Sequence, residues 1–326
     1  MKKILLLLGT KRLVLWLPII IFSIGCGLEL LMIYFLNNGK LVYTFDDAYI
    51  HLAVAENIVK GHYGVNLNEF SASSSSIIWP FLLAPFTLLS IGDYMPLIIN
   101  FLAATATLFL LSQILLFAFS PSDTKQSLVI CLLVILLIPA SNLMGLVFTG
   151  MEHSLQVFLA ILLVFGLLIE FKTKTVPWWL LVAIICGPLV RYENLALGLP
   201  ALIYLLFRGH YRAFSLTALI LTASLASFSL FLYSLDFGFF PSSVIIKSGV
   251  VRSNGSTILR NLFHNLKMVD AALLYVGLFM LSWVLFSSNK ERILAAWAAF
   301  ALSIHLLVGR FDWYGRYDTY IWITVW

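Results

Sequence analysis

The chain reads as an all-α, polytopic transmembrane helical bundle, and three observations predict it. Hydrophobic residues make up 61% of its 326 residues and charged residues only 11%, where an ordinary soluble domain carries about a quarter charged. Mean hydropathy is +1.00. Several apolar runs also reach the roughly 20 residues that a helix needs to cross hydrocarbon. Leu13–Leu36, Met95–Phe119, Ser127–Thr149 and Ala213–Leu235 are the clearest.

The first sixteen residues, MKKILLLLGTKRLVLW, have the basic end and short apolar stretch of a signal peptide. Lys11 and Arg12 interrupt that stretch, and no small-residue cleavage pattern precedes Leu13. Residues 13–36 are therefore read as a retained first span. Residues 37–92 follow as one long polar loop, with Asp46 and Asp47 a few residues past the span. Asp46, a helical run to Lys60 and then Gly61 predict a helix with an aspartate cap and a glycine stop. Ile77–Leu89 is short and contains Pro80 and Pro85, so it reads as an interfacial helix.

The remaining spans fall within 95–326, making one transmembrane domain of the whole chain, 1–326. They are Met95–Phe119, Ser127–Thr149 and Ser154–Phe171, then a short hairpin of Trp178–Val190 and Leu195–Phe207. Ala213–Leu235, Ala271–Phe286 and Leu294–Val308 complete the series. Cys26, Cys131 and Cys186 lie in apolar runs without metal-ligand spacing and read as small core residues.

Charge sets the orientation. Lys2, Lys3, Lys11 and Arg12 put the N-terminus in the cytoplasm. With Ile77–Leu89 kept at the interface, the loops holding Lys172/Lys174, Arg208/Arg212 and Lys290/Arg292 all fall inside as well. Were that segment to cross, all three would lie outside, against the positive-inside rule. The net charge of +5 is thus an orientation signal, and nucleic acid is not an expected partner.

The same topology collects the unusual polar residues on the outer face. They are Asp46, Asp47, His51, Glu56 and His62; Glu152 and His153; Arg191 and Glu193; Lys247, Arg252 and Arg260; and Arg310, Asp312, Arg316 and Asp318. Acids and bases gathered at one end of a bundle suit an anionic headgroup, and ionisable residues in membrane proteins mark functional sites. Each also has a plainer reading. Asp46 caps a helix, His51 is a hydrogen-bond partner four residues from Asp47, Arg191 pairs with Glu193, and Lys247 snorkels. Asp46, Asp47 and Glu152 would accept a divalent cation, although their spacing does not demand one.

Phe45–Asn66, FDDAYIHLAVAENIVKGHYGVN, followed by Ser75–Phe86, SSIIWPFLLAPF, resembles the first outer loop of GT-C-fold membrane glycosyltransferases. The resemblance is to the mycobacterial terminal arabinofuranosyltransferase family and its bacterial relatives. Thr149–His153 (TGMEH) is similar to that family's SGMET-like turn, and Val190–Asn194 (VRYEN) to its RPEG element. Phe239–Lys247 (FFPSSVIIK) and Gly309–Tyr317 (GRFDWYGRY) match later elements in family order. Ile77 and Tyr192 stand where proline is usual, and Ser242 where asparagine is.

The resemblance implies a GT-C-like bundle that takes a sugar from a polyprenyl-phosphate donor. It passes the sugar to a glycan or lipid acceptor on the outer face of the membrane. It implies Asp46 or Asp47 as catalytic base, with Arg191, Lys247 and Arg316 on the donor phosphate. His51, Glu152, His153 and Glu193 would then contact substrate. Family members usually continue through more spans and often a soluble domain, so further C-terminal segments are expected to be lacking here. Two other function classes fit the composition. A transporter or lipid-carrier flippase would place ionisable residues at mid-membrane, where only Glu29 qualifies. A non-catalytic membrane scaffold would not need the paired acids.

Overall fold

The computed structural model describes residues 2–239, 241, 256–268, 277, 279–283, 286, 292–309, 311 and 318–325. Every regular element among them is helical. In chain order these are α1 (Lys2–Leu36), α2 (Asp47–Val59), α3 (Trp79–Leu83), α4 (Met95–Phe119), α5 (Thr124–Ala140), α6 (Leu143–Phe148) and α7 (His153–Thr173). They continue with α8 (Trp178–Val190), α9 (Leu195–Phe207), α10 (Tyr211–Ser234), α11 (Ser256–Met268), α12 (Arg292–Val308) and α13 (Thr319–Val325). Short 3₁₀ turns at Ala84–Leu88, Gly92–Tyr94 and Tyr192–Asn194 extend α3 and lead into α4 and α9.

Among the described residues four helices are long and apolar enough to cross a membrane: Thr10–Leu36, Gly92–Phe119, His153–Thr173 and Tyr211–Ser234. Shorter apolar helices, among them Thr124–Ala140, Trp178–Val190 and Arg292–Val308, pack between them. The chain is a polytopic membrane protein, and its surface agrees. On α1, Leu28, Leu31, Met32 and Phe35 recur at i, i+3, i+4 and i+7 and are all exposed. A helix apolar on its outward face as well as its inward one has lipid as its solvent.

Helix α7 is the centre of the bundle, packed against α4, α8 and α13, while α1 lies along α4 and α5. Where α7 crosses α8, Gly166 leaves room for Leu180; a Cβ there would come within 2.6 Å of the leucine's own Cβ. Small residues at such crossings let helix backbones approach closely in lipid, where dispersion contacts carry the packing.

The boundaries of α4, α8 and α9 coincide with the apolar runs. One expected span is corrected. Ser127–Thr149 is two helices, because Pro139 lacks the N–H that would continue α5 and Asn142 turns the chain in the left-handed region at φ +50°. The short α6 then buries Leu143, Leu146, Val147 and Phe148. A second correction concerns Asp46. It occupies the position before α2 but lies in right-handed helical backbone, and its side chain makes no capping bond. The glycine stop does form: Gly61, at φ +77°, donates to Ile58 O at 2.9 Å and His62 N to Asn57 O at 2.9 Å. These are the paired bonds of a Schellman ending. Trp79–Leu88 is helical and too short to cross hydrocarbon. Most of Ala271–Phe286 lies outside the described residues.

Candidate polar cluster at the loop end of the bundle

The site begins with a turn. Between α6 and α7 the chain passes through Gly150 at φ +66°, where a Cβ would come within 2.7 Å of both Ala48 Cβ and the Tyr43 ring. Only glycine meets both demands, and the tight turn sets Glu152 at the start of α7. Asn100 of α4 fixes the turn from beneath, its Nδ2 donating to Met151 O at 2.7 Å. Glu152 has no exposed surface.

Three other segments deliver partners to that carboxylate. Helix α2 buries one face, and His51 on it places Nε2 at 3.4 Å from Glu152 Oε2. The serine run Ser73–Ser76 leads to the end of α8, where Ile77 N and Ile78 N donate to Leu189 O at 3.0 and 3.1 Å. This brings Ser75 Oγ to donate to Glu152 Oε1 at 3.3 Å. Ser74 Oγ donates to Ser76 O at 2.7 Å, so His51 Nδ1, 3.2 Å from the same hydroxyl, is the donor in that pair. The α8–α9 hairpin adds Arg191, whose Nη1 donates to Glu152 Oε1 at 2.7 Å. Its Nε and Nη2 reach the two oxygens of Glu193 at 3.2 and 2.7 Å. The fork geometry of a guanidinium suits it to hold two carboxylates at once.

Burial by itself would raise the Glu152 carboxyl, but the Arg191 guanidinium, with His51 and His153, outweighs it and holds the group at about 2. Burial also opposes ionisation of Glu193, and Arg191 again wins, keeping it below the usual carboxylate range. Further side chains bonded to one another close the floor. His153 Nδ1 lies 3.4 Å from Gln156 Oε1, and Gln156 Nε2 donates to Asn194 Oδ1 at 3.1 Å. Tyr320 of α13 donates its hydroxyl to Glu193 O at 2.9 Å, with His305 Nδ1 at 2.7 Å from that hydroxyl.

The expected site residues thus divide. His51, Glu152, Arg191 and Glu193 come together in one bonded cluster, with His153 beside it. Arg191 is 1% exposed, so its charge is directed at carboxylates inside the protein. Asp47 opens α2 on the face of His51, four residues on, and is half-buried; Asp46 is exposed. Asp46 shares its helix face with Tyr49, Ala53 and Glu56, at i+3, i+7 and i+10. The two aspartates therefore belong to different faces. Lys247, Arg252, Arg310, Asp312 and Arg316 lie outside the described residues. Among the described residues no three His, Cys, Asp or Glu side chains are grouped to hold a metal ion.

Sequence reasoning missed Ser74, Ser75, Tyr320 and His305. Ser75 stood inside the Ser75–Phe86 element, so a signal existed for it; Ser74, Tyr320 and His305 carried none. It also missed a second ionic cluster at the far end of α7. There Glu170, without exposed surface, accepts from the Tyr204 hydroxyl, from Arg208 Nε at 3.2 Å and from His210 Nε2 at 2.8 Å. No family model matches the chain, and no curated protein or solved structure matches it.

Proposed function

We propose that the protein is an integral membrane glycosyltransferase of GT-C type, using a polyprenyl-phosphate sugar and a glycan or lipid acceptor at the loop end of the bundle. One observation carries the reading. The sequence elements that resemble the family, FDDAYIH, the serine run, TGMEH and VRYEN, are far apart in the chain, yet their polar residues meet in the Glu152–Arg191–His51–Ser75 cluster. Elements that serve only their own helices have no reason to converge on one buried carboxylate.

In this reading Asp46 is the base. Its side chain is exposed and has no hydrogen bond or ion pair, as a group that must accept a proton requires. It takes the proton of an acceptor hydroxyl as that oxygen bonds to the anomeric carbon. The bond from that carbon to the phosphate oxygen breaks, and the lipid phosphate leaves with the electron pair. Asp47, on the neighbouring face, stabilises the positive charge that develops on the sugar. Arg191 positions Glu152 and Glu193, and with both of its edges engaged it leaves the donor phosphate to Lys247 and Arg316.

Turnover in lipid nanodiscs tests this. With a panel of polyprenyl-phosphate sugars, wild type should release free lipid phosphate, and Asp46→Asn should slow release by about 10²–10⁴-fold while donor binding persists. Failure of wild type to bind or turn over any donor overturns the proposal. The transporter reading is less well supported: in the four long helices the one ionisable residue set well away from a helix end is Glu29, half-buried in α1.

A further inference from the structure

Helix α2 has two working faces, and the cluster above uses one of them. Against the other lies a cavity of about 430 Å³, walled by the segment Gly39–Tyr43, by Tyr49, Leu52, Ala53 and Glu56 of α2, and by Asp93 and Tyr94. We infer that this cavity seats a neutral sugar ring of the acceptor glycan, with the Tyr49 side lying next to Asp46. The inference rests on the glycosyltransferase reading and goes beyond it by giving the acceptor a place.

The walls are preorganised. The Tyr43 hydroxyl donates to Asp93 O at 2.6 Å and accepts from Leu97 N at 3.3 Å. The Tyr49 hydroxyl accepts from Tyr43 N at 3.0 Å, and Tyr34 donates to the Tyr94 hydroxyl at 3.0 Å. Three tyrosine rings are thereby fixed by their own hydroxyls, and Tyr43 and Tyr49 meet edge to face at 5.8 Å. Tyr49 is exposed and Tyr94 half-buried, so their rings can meet the C–H face of a sugar, while Tyr43 is buried and braces them. At the rim, Lys40, Glu56 and Asp93 are exposed, with side chains engaged in no hydrogen bond or ion pair. Free carboxylates beside fixed aromatic rings match a polyol: hydroxyls donate to the acids while the ring stacks.

Other occupants fit less well. Two carboxylates against one lysine repel a phosphate. A charged rim opposes an acyl chain. Among the described residues Asp93 and Glu56 have no third ligand for a cation. The volume lies within the range of about 300–1,000 Å³ of small-molecule sites. The placement suits the chemistry as well, since Asp46 shares the face of α2 that carries Tyr49, Ala53 and Glu56. A hydroxyl of a ring held there is offered to the unengaged aspartate rather than to the Arg191 cluster.

Saturation-transfer NMR on the full chain in nanodiscs tests the inference, using methyl glycosides of common hexoses and pentoses, with choline as a cationic control. At least one glycoside should bind saturably. Glu56→Gln, an exposed substitution that cannot unfold the core, and Tyr49→Ala should each weaken it about tenfold or more. Tyr49→Phe should retain it. Absence of glycoside binding, binding indifferent to both Glu56→Gln and Tyr49→Ala, or saturation by choline instead overturns the inference. The turnover assay separates the two claims. Lipid-phosphate release whose acceptor KM is unmoved by Glu56→Gln removes the cavity and leaves the enzyme. Glycoside binding sensitive to Glu56→Gln, with no release from any donor, removes the enzyme and leaves a sugar site.

Discussion

Glu152 is a carboxylate with no exposed surface, kept ionised by the cations around it. Removing one partner of a buried pair typically costs about 3–5 kcal/mol, because the other charge stays buried and uncompensated. Glu152→Gln should therefore lower stability by about that amount at neutral pH. The pH dependence has a definite sign. A carboxyl held below its unfolded value, about 4.3 for glutamate, stabilises the fold above that pH and loses the contribution as pH falls toward the folded value of about 2. Melting curves in detergent should show a constant gap between wild type and Glu152→Gln above about pH 5, closing as the solution is acidified. A gap that stays open at low pH would mean that Glu152 is not held by charge. That Glu152, His51 and Arg191 are unusual was readable in the sequence, since they stood out as polar residues in an apolar chain. Their mutual pairing was not. It depends on the docking of Ile77 N and Ile78 N onto Leu189 O, a backbone contact with no sequence signature.

Among the elements, α11 is built inside out. Asn261 and Asn265, four residues apart, donate to the last carbonyls of α12: Asn261 to Leu307 O at 2.8 Å, and Asn265 to Leu306 O at 2.8 Å and Gly309 O at 2.9 Å. Those carbonyls end a helix and have no partner within it. The amide face is thus turned to protein, while Phe263 and Leu266 are exposed beside exposed Arg260, His264 and Lys267. An apolar strip bordered by cations is the pattern of a helix lying in the headgroup layer. A spin label at Phe263→Cys, with Cys26, Cys131 and Cys186 replaced by alanine, should collide with dissolved oxygen. One at Lys267→Cys should collide with an aqueous nickel chelate. Equal aqueous access at both positions would contradict the placement. Strong apolar runs with clean ends, such as Met95–Phe119, were fully legible because nothing in them competes with the helix. Ser127–Thr149 was not read correctly, although Pro139 and Asn142 marked the break; hydropathy averages over a turn that backbone chemistry imposes.

For the whole molecule, the two ionic clusters bracket α7. Glu152 and Glu170 stand at its two ends, roughly 27 Å apart at 1.5 Å per residue, close to the ~30 Å hydrocarbon thickness of a bilayer. Charged groups so spaced suit a helix that crosses the membrane, since sliding α7 along its axis would carry one cluster into the hydrocarbon. The arrangement predicts opposite exposures. In intact cells a membrane-impermeant maleimide should label Lys60→Cys, and should label Lys174→Cys only after permeabilisation. Labelling of Lys174→Cys from outside, with Lys60→Cys reached only after permeabilisation, would reverse the orientation that the charges imply, and labelling of both from outside would place them on one side of the membrane.

The bond between Ser75 and Arg191 joins residues 116 positions apart, and this bears on how the protein is made. At about 5–20 residues per second, some 6–23 s separate their synthesis. Through that interval the first loop waits outside its final seat, with His51 and Ser75 lacking the partners that later bury them. An early loop held open this long is a substrate for proteases and a client for chaperones. The first loop is then seated by the arrival of the α8–α9 hairpin, whose arginine locks a segment made long before it.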